Sequence, residues 1–295
     1  MKKCFIVSRR TQANSYAVEE YEAVANQQKK YSWNAEDYAK NSSSQYKWAQ
    51  ELIPKLKLSG SEALLDIGCG DGKITAAVAK CLPQGQVIGI DNSEDMISLA
   101  RCSFPQEMYP NLSFQRMDAR AITFQEKFDC AFSNAALHWI IDQQSVLHGV
   151  QRSLKDGGRL LFQMGGKGNA QDILLTLTPL MDSEPWKKFF SNFSFPYGFY
   201  GPEDYKTWLL EAKLKPERVE LLQKDMKLQG KEGLAGWIRT TWLPYTEKVP
   251  ATLKDAFVEE IVNTYVAKYP LDTTGIAHIH MVRLEVEASK PATTE

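Results

Sequence analysis

The run Leu64-Leu65-Asp66-Ile67-Gly68-Cys69-Gly70-Asp71-Gly72 sets glycines at every second position between an apolar stretch and a helical one. Glycine lets a backbone turn sharply and come close to a ligand. A dinucleotide fingerprint would read GxGxxG, but here Lys73 stands where its third glycine would fall. The carboxylates of Asp66 and Asp71 would repel a diphosphate and attract an ammonium group. Asp91 closes the next apolar run, where a carboxylate can accept from both hydroxyls of a ribose. Asp118, followed by Ala119, ends a third run. Its carboxylate could accept from an adenine amino group, with a neighbouring backbone N–H for a ring nitrogen, or it could cap a helix; both can hold together. A nucleoside with a cationic tail and no phosphate fits this set, and S-adenosylmethionine is such a molecule. A plain glycine turn and a nicotinamide-binding loop are the competing readings.

A second group lies further along, in Ser133-Asn134-Ala135-Ala136-Leu137-His138-Trp139. His138 is either a general base or a histidine satisfied by nearby backbone. Trp139 either walls an acceptor pocket, with its indole N–H as a donor, or packs under the next helix. Ten aromatics crowd residues 185–208, in a chain that averages 11%. Most would form a core of their own, and the excess can line an apolar pocket. Trp237, Arg239, Trp242 and Tyr245 form another cluster, in which Arg239 either clamps an acid or is solvated.

The elements that must position these groups alternate. Strands are expected at Ala63–Ile67, Gln86–Asp91, Leu112–Met117, Phe128–Asn134 and Arg159–Met164. Helices fall between them, one begun by Ser93 with Glu94 and Asp95 in its first turn and another over Gln143–Leu154. That rhythm predicts parallel strands joined by right-handed crossovers. After Gly168 it changes: residues 170–213 and 231–269 read as helical, with strands at Arg218–Leu222 and Ile276–Leu284. The expected fold is α/β, a doubly wound, mostly parallel seven-stranded sheet with helical lid insertions over the carboxyl ends of the strands. The expected divisions are a weakly organised segment (1–30), a helical cover (31–60), a cofactor core (61–168), remaining strands plus lid (169–287) and a polar tail (288–295).

The 295 residues carry a formal net charge of −1, with 43% hydrophobic and 24% charged residues. A chain so balanced has no global positive field for nucleic acid. Its five cysteines show no metal-ligand spacing, so no metal is expected and a reduced, cytoplasmic chain is. The apolar run near Met1 is too short for a signal peptide, and no stretch suits a membrane span. The expected partner is a small molecule, and the expected state is a monomer or weak oligomer.

Together the glycine loop, Asp91 and Asp118-Ala119 resemble the class I S-adenosylmethionine-dependent methyltransferases over about residues 60–165. A narrower likeness joins Trp33-Asn34, Tyr38, Gln45, the Asn134–Trp139 run and Gly236-Trp237-Ile238 to the trans-aconitate methyltransferase group. Juvenile-hormone-acid methyltransferases share parts of it. The resemblance implies S-adenosylmethionine as cofactor, held by Asp66, Gly68, Gly70 and Asp91, by Asn92 and Met96 just beyond, and by Asp118, Ala119 and Asn134. It implies Gln45, His138 and Trp139 as catalytic candidates and Trp139, Trp237 and Arg239 as substrate contacts. Ester formation on a small organic acid is the expected reaction, with a carboxylate needing no base and Gln45 and Trp139 as donors. The alternative is O-, N- or C-methylation of another metabolite with His138 as base.

Overall fold

The computed structural model describes residues 43–292. The expectations for residues 1–30 and for Trp33, Asn34 and Tyr38 lie outside them. Seven strands form one sheet in the order β3-β2-β1-β4-β5-β7-β6. They are β1 (Ala63–Ile67), β2 (Gln86–Asp91), β3 (Leu112–Arg116), β4 (Phe128–Asn134), β5 (Leu154–Gly165), β6 (Lys215–Gln229) and β7 (Ile276–Ser289). Neighbours from β3 through β5 pair in parallel, and β7 lies antiparallel between β5 and β6. Strands β1, β2 and β4 are nearly continuous apolar runs because both faces of the sheet are covered.

Alternation along the strands splits their side chains between two cores. Leu64, Val87, Cys130, Phe132 and Leu161 face one side, where helices α1 (Ser43–Leu52), α2 (Lys73–Lys80) and α3 (Glu94–Ser103) pack. Leu65, Ile67, Ile88, Ala131 and Phe162 face the other, with α4 (Gln143–Ser153). Ser93 starts α3 as its type suggests: its Oγ accepts from Met96 N at 3.4 Å.

A third core lies beyond the carboxyl ends of the parallel strands. The register ends β5 at Gly165 opposite Arg283, so β6 and β7 run on as a two-stranded arm over Ile276–Val282 and Gln223–Gln229. Between those strands the chain inserts α7 (Gly230–Thr241), α8 (Leu243–Thr246) and α9 (Lys254–Lys268). These helices pack with α5 (Gln171–Met181) around Trp237, Trp242, Phe257, Ile261 and Tyr265.

Two sequence expectations need correction. Helix α6 (Pro202–Glu211) falls in the range read as lid, yet it seals the sheet: Tyr205 and Leu209 are buried in the core shared with α4. The buried Tyr205 hydroxyl donates to Gln143 Oε1 and approaches Met164 Sδ at 3.1 Å, which ties α6 to α4 and β5. Nine of the ten aromatics therefore divide between two cores, and Phe195 is exposed. The sequence sets a polar tail from Ala288, but Ala288 and Ser289 continue β7, paired with Leu160 and Arg159 on β5. Lys290 follows them, exchanging backbone bonds with the Gly157-Gly158 turn at 3.0 and 2.7 Å. Its Nζ donates to the Leu154 carbonyl at 2.9 Å and lies 3.5 Å from Asp156.

Lys290→Ala leaves that buried carbonyl without its donor. Urea denaturation should show a loss of about 1–2 kcal/mol; a midpoint equal to that of the parent protein would mean that the tail contributes nothing.

Candidate active site

The glycine loop is pulled across the sheet by backbone bonds. Gly68 N and Cys69 N both donate to the Ile90 carbonyl, at 2.8 and 3.0 Å. Gly68 sits at φ +74°, and a Cβ there would lie 2.2 Å from that of Ala136, so only glycine lets the loop after β1 meet the turn after β4. Gly70, at φ +53°, has open space beside its α-carbon. Asp91 secures the other side: its two carboxylate oxygens accept from Gly70 N at 3.1 Å and from Ser93 N at 2.8 Å. A carboxylate offers about four lone-pair positions, so Asp91 can hold the loop and still accept from a ligand diol.

Asp66 lies under the loop, 2% exposed, and accepts from Thr75 Oγ1 at 2.7 Å. Burial raises its pKa to about 7, the Thr75 bond opposes the rise and the Asp91 charge adds to it. Burial likewise raises that of Asp91. Two carboxylates strained toward protonation form a site whose charge a cationic ligand would complement. Asp71, the other flanking acid, turns back to Lys73, with its Oδ2 3.0 Å from Nζ. It does not add a second open negative charge, as the sequence had suggested.

The remaining cofactor candidates are placed unevenly. Met96 is buried at the first turn of α3 and Asn92 is exposed just before it. Asn134 is buried at the end of β4, beside Gln163 of β5. Asp118 caps the short helical turn Ala119–Ala121, and its Oδ2 lies 2.6 Å from Arg120 Nη2. Burial opposes ionisation, but the Arg120 bonds outweigh it and hold the Asp118 carboxyl below the usual range. The capping role is the one this geometry displays. Ala119 is buried beside it.

The turn after β4 delivers His138 and Trp139 into a pocket shared with the lid. The pocket encloses about 50 Å³, room for several water-sized groups. Trp139, Tyr197, Trp237, Trp242 and Met226 are among its lining residues, with Trp48 from α1 and Arg283 from β7. Gln45 also lies in α1, one turn before Trp48, but its side chain is outside the described residues. Buried Gln143 holds the turn: its Nε2 donates to the carbonyls of Leu137, Ile140 and Gly198 at 2.9, 3.0 and 3.1 Å. Among the described residues no helix is long and apolar enough to cross a membrane.

Two assignments change here. Arg239 is exposed, because helix α7 turns Trp237 and Thr241 inward and sets Arg239 on its outer side. The arginine in the pocket wall is Arg283, 2% exposed, with its guanidinium carbon 5.2 Å from the Trp48 ring centre. A sequence cue for it existed: Ala277, Ile279 and Met281 mark the buried phase of β7, and Arg283 and Glu285 continue that phase. Glu285 is fully buried, and bonds from Lys55 Nζ at 2.6 Å and Gln163 Nε2 at 2.8 Å, with a contact from Arg218, keep it ionised against the pull of burial.

His138 is held as a neutral ring. Burial, and then the charge of Arg283, push its pKa well below the usual histidine value. Its Nδ1 accepts from Gly165 N at 3.4 Å, which puts the ring proton on Nε2. In that tautomer Nε2 is a donor.

Comparison with known proteins agrees with this geometry. Residues 58–208 match the family described as "Methyltransferase domain". An uncharacterized methyltransferase of Schizosaccharomyces pombe is 35% identical over 206 residues, covering 66% of this chain and 77% of that protein. The trans-aconitate 2-methyltransferase of Variovorax paradoxus is 26% identical, covering 88% of this chain and 99% of its own length. The YcgJ protein of Bacillus subtilis shares the fold, with a TM-score of 0.59 at 17% identity over 83% of this chain and 99% of that one. Over half its length, a stretch that includes the glycine loop, the chain belongs to the methyltransferase-domain family, the class I enzymes that use S-adenosylmethionine.

Proposed function

We propose that this methyltransferase esterifies the carboxylate of a small organic acid. The observation that carries the reading is the buried Arg283 in the pocket wall beside a neutral His138. When bound, S-adenosylmethionine supplies an electrophilic methyl group on a sulfonium sulfur. The donor set fits it: buried Asp66 for its cationic part, Asp91 for its ribose, and glycine backbone that permits close approach.

The chain's own residues then bind, orient and exclude water. A carboxylate is ionised at pH 7 and needs no proton removed. Arg283 neutralises it as it leaves water and His138 Nε2–H offers a further donor, while Trp139 and Trp237 wall the pocket. The name of the Variovorax relative gives trans-aconitate, a small organic acid, as its acceptor, which supports the same class. A hydroxyl, amine or carbon acceptor would want a base, and His138 with its proton on Nε2 and a lowered pKa is a poor one.

Asp91→Ala should weaken S-adenosylhomocysteine binding by about 1.5–3 kcal/mol in titration calorimetry. Unchanged affinity in a folded variant would remove Asp91 from the ribose.

Asp66 has a folded pKa of about 7, above its unfolded value, so its ionisation destabilises the cofactor-free protein as pH rises through that window. Asp66→Asn should therefore gain more thermal stability relative to the parent at pH 8 than at pH 5, while binding S-adenosylhomocysteine less well. A stability difference independent of pH would refute the assignment.

Turnover of labelled donor over panels of acids, phenols and amines tests the acceptor class. Arg283→Met should lower kcat/KM for acids by about 30-fold, the worth of a bond to a charged group, whereas Arg239→Ala should leave it within about twofold. His138→Ala should slow esterification only modestly. Abolished turnover with binding intact, and a histidine-like pH profile in the parent enzyme, would show that a proton must be removed and would exclude the ester reading.

A further inference from the structure

The return of the inserted helices to the sheet is closed by a histidine set between two carboxylates. His278 lies on the exposed face of β7 with His280, in the opposite phase to buried Ala277, Ile279 and Met281. Its Nδ1 is 2.8 Å from Asp225 Oδ2 on β6, and its Nε2 is 3.1 Å from Asp272 Oδ2 in the turn that leads from α9 into β7. The other oxygen of Asp272 shapes that turn, accepting from Thr274 N at 2.8 Å, Thr274 Oγ1 at 2.8 Å and Ile276 N at 2.9 Å. The His278 carbonyl accepts from the Tyr265 hydroxyl of α9 at 2.8 Å. One residue therefore joins β6, the turn and α9. Other titratable groups stand around it. Lys227 is paired with His278 across the arm and lies 4.0 Å from Asp225, which is itself paired with His280. Asp172 of α5 and Tyr269 act on the Tyr265 hydroxyl, and Lys231 of α7 is engaged with Asn263 at 2.7 Å.

An imidazolium donates from both ring nitrogens, whereas a neutral imidazole has one N–H and would turn a lone pair toward the second carboxylate. We propose that His278 is a proton-operated latch: charged, it ties the turn at Asp272 to the β6–β7 arm, and neutral, it keeps Asp225 and releases Asp272. The bond given up is the longer of the two. The bonds to Asp272 and then to Asp225 raise the pKa of His278 above the usual histidine value. Bonds from Ile276, His278 and Thr274 hold the Asp272 carboxyl far below the usual range, so the proton that moves is the histidine's. A histidine whose pKa rises on folding contributes fully below its unfolded value of about 6.5 and loses that contribution as pH climbs through the folded value. The latch is thus closed in mildly acid solution and open in alkaline solution. Exposed ion pairs add little to global stability, so the effect is local to the turn. That turn is where α9 rejoins the sheet, and α9 packs Phe257, Ile261 and Tyr265 into the core that holds the pocket-lining Trp237 and Trp242.

Hydrogen exchange of the full chain, corrected for the intrinsic pH dependence of exchange and referred to helix α4, tests the latch. Protection over residues 270–276 should fall about threefold between pH 6 and pH 9, the scale of one exposed ion pair. His278→Gln has no titrating ring and should show no such fall. In the parent chain labelled with ¹⁵N-histidine, NMR should find both ring nitrogens of His278 protonated at pH 6 and only Nδ1 at pH 9. The midpoint should lie above about 6.5, and Asp225→Asn should lower it. The NMR measurement on the parent decides the matter even if a variant does not fold. Protection of the turn that tracks α4 at every pH, a fall that persists in His278→Gln, a midpoint at or below the ordinary histidine value, or loss of the proton from Nδ1 instead of Nε2 would overturn the proposal.

Discussion

The contact of Gly68 with Ala136 sets the separation between the two halves of the site. With the loop after β1 drawn down to the Ile90 carbonyl, the turn after β4 can pass directly beside it. That proximity brings the glycine loop and the residues that line the pocket onto adjacent strand ends. The rest of the site is arranged around it: Asp91 braces the loop from β2, and Gln143 braces the turn from α4. A methyl group moves over a short distance along one line, so catalysis by position needs this separation to be rigid.

Charge is distributed to match. Buried carboxylates lie under the glycine loop, and a buried guanidinium lies on β7 in the pocket wall. A sulfonium donor and an anionic acceptor would each meet the opposite sign. The low-dielectric surroundings that raise the pKa of Asp66 also lower that of His138, and they strengthen both attractions. Neutral His138 beside Arg283 is part of the same economy, since a second cation there would be repelled.

Much of the candidate cofactor half was legible because it is local. Asp66, Gly68, Gly70 and Asp91 lie at the ends of short apolar runs, and strand pairing needs only the alternation of strands and helices to bring them together. The acceptor half is assembled from segments far apart in sequence, and there local pattern misled. Arg239 sat beside tryptophans in sequence, but helical phase turns it outward, whereas Arg283 sat in a strand whose buried phase becomes clear only once its pairing with β5 and β6 is known. Helix α6 read as lid because its aromatics adjoin the lid's in sequence, although the Tyr205 bond to Gln143 commits it to the sheet. Lys290 read as tail because a single lysine after a strand carries no sign of the turn carbonyls it will meet.

The insertion of α7, α8 and α9 between β6 and β7 has a consequence for how such a protein diversifies. The chain leaves the sheet at Gln229 and returns at Ile276, and those two residues are paired with each other across the arm. Everything between them is therefore a cassette with its two ends held side by side. A different cassette, grafted at the same two points, would present a new wall to the pocket while the glycine loop, Asp66 and Asp91 kept their places. Selection for new acceptors can act on that stretch of chain without reopening the problem of how the methyl donor is held.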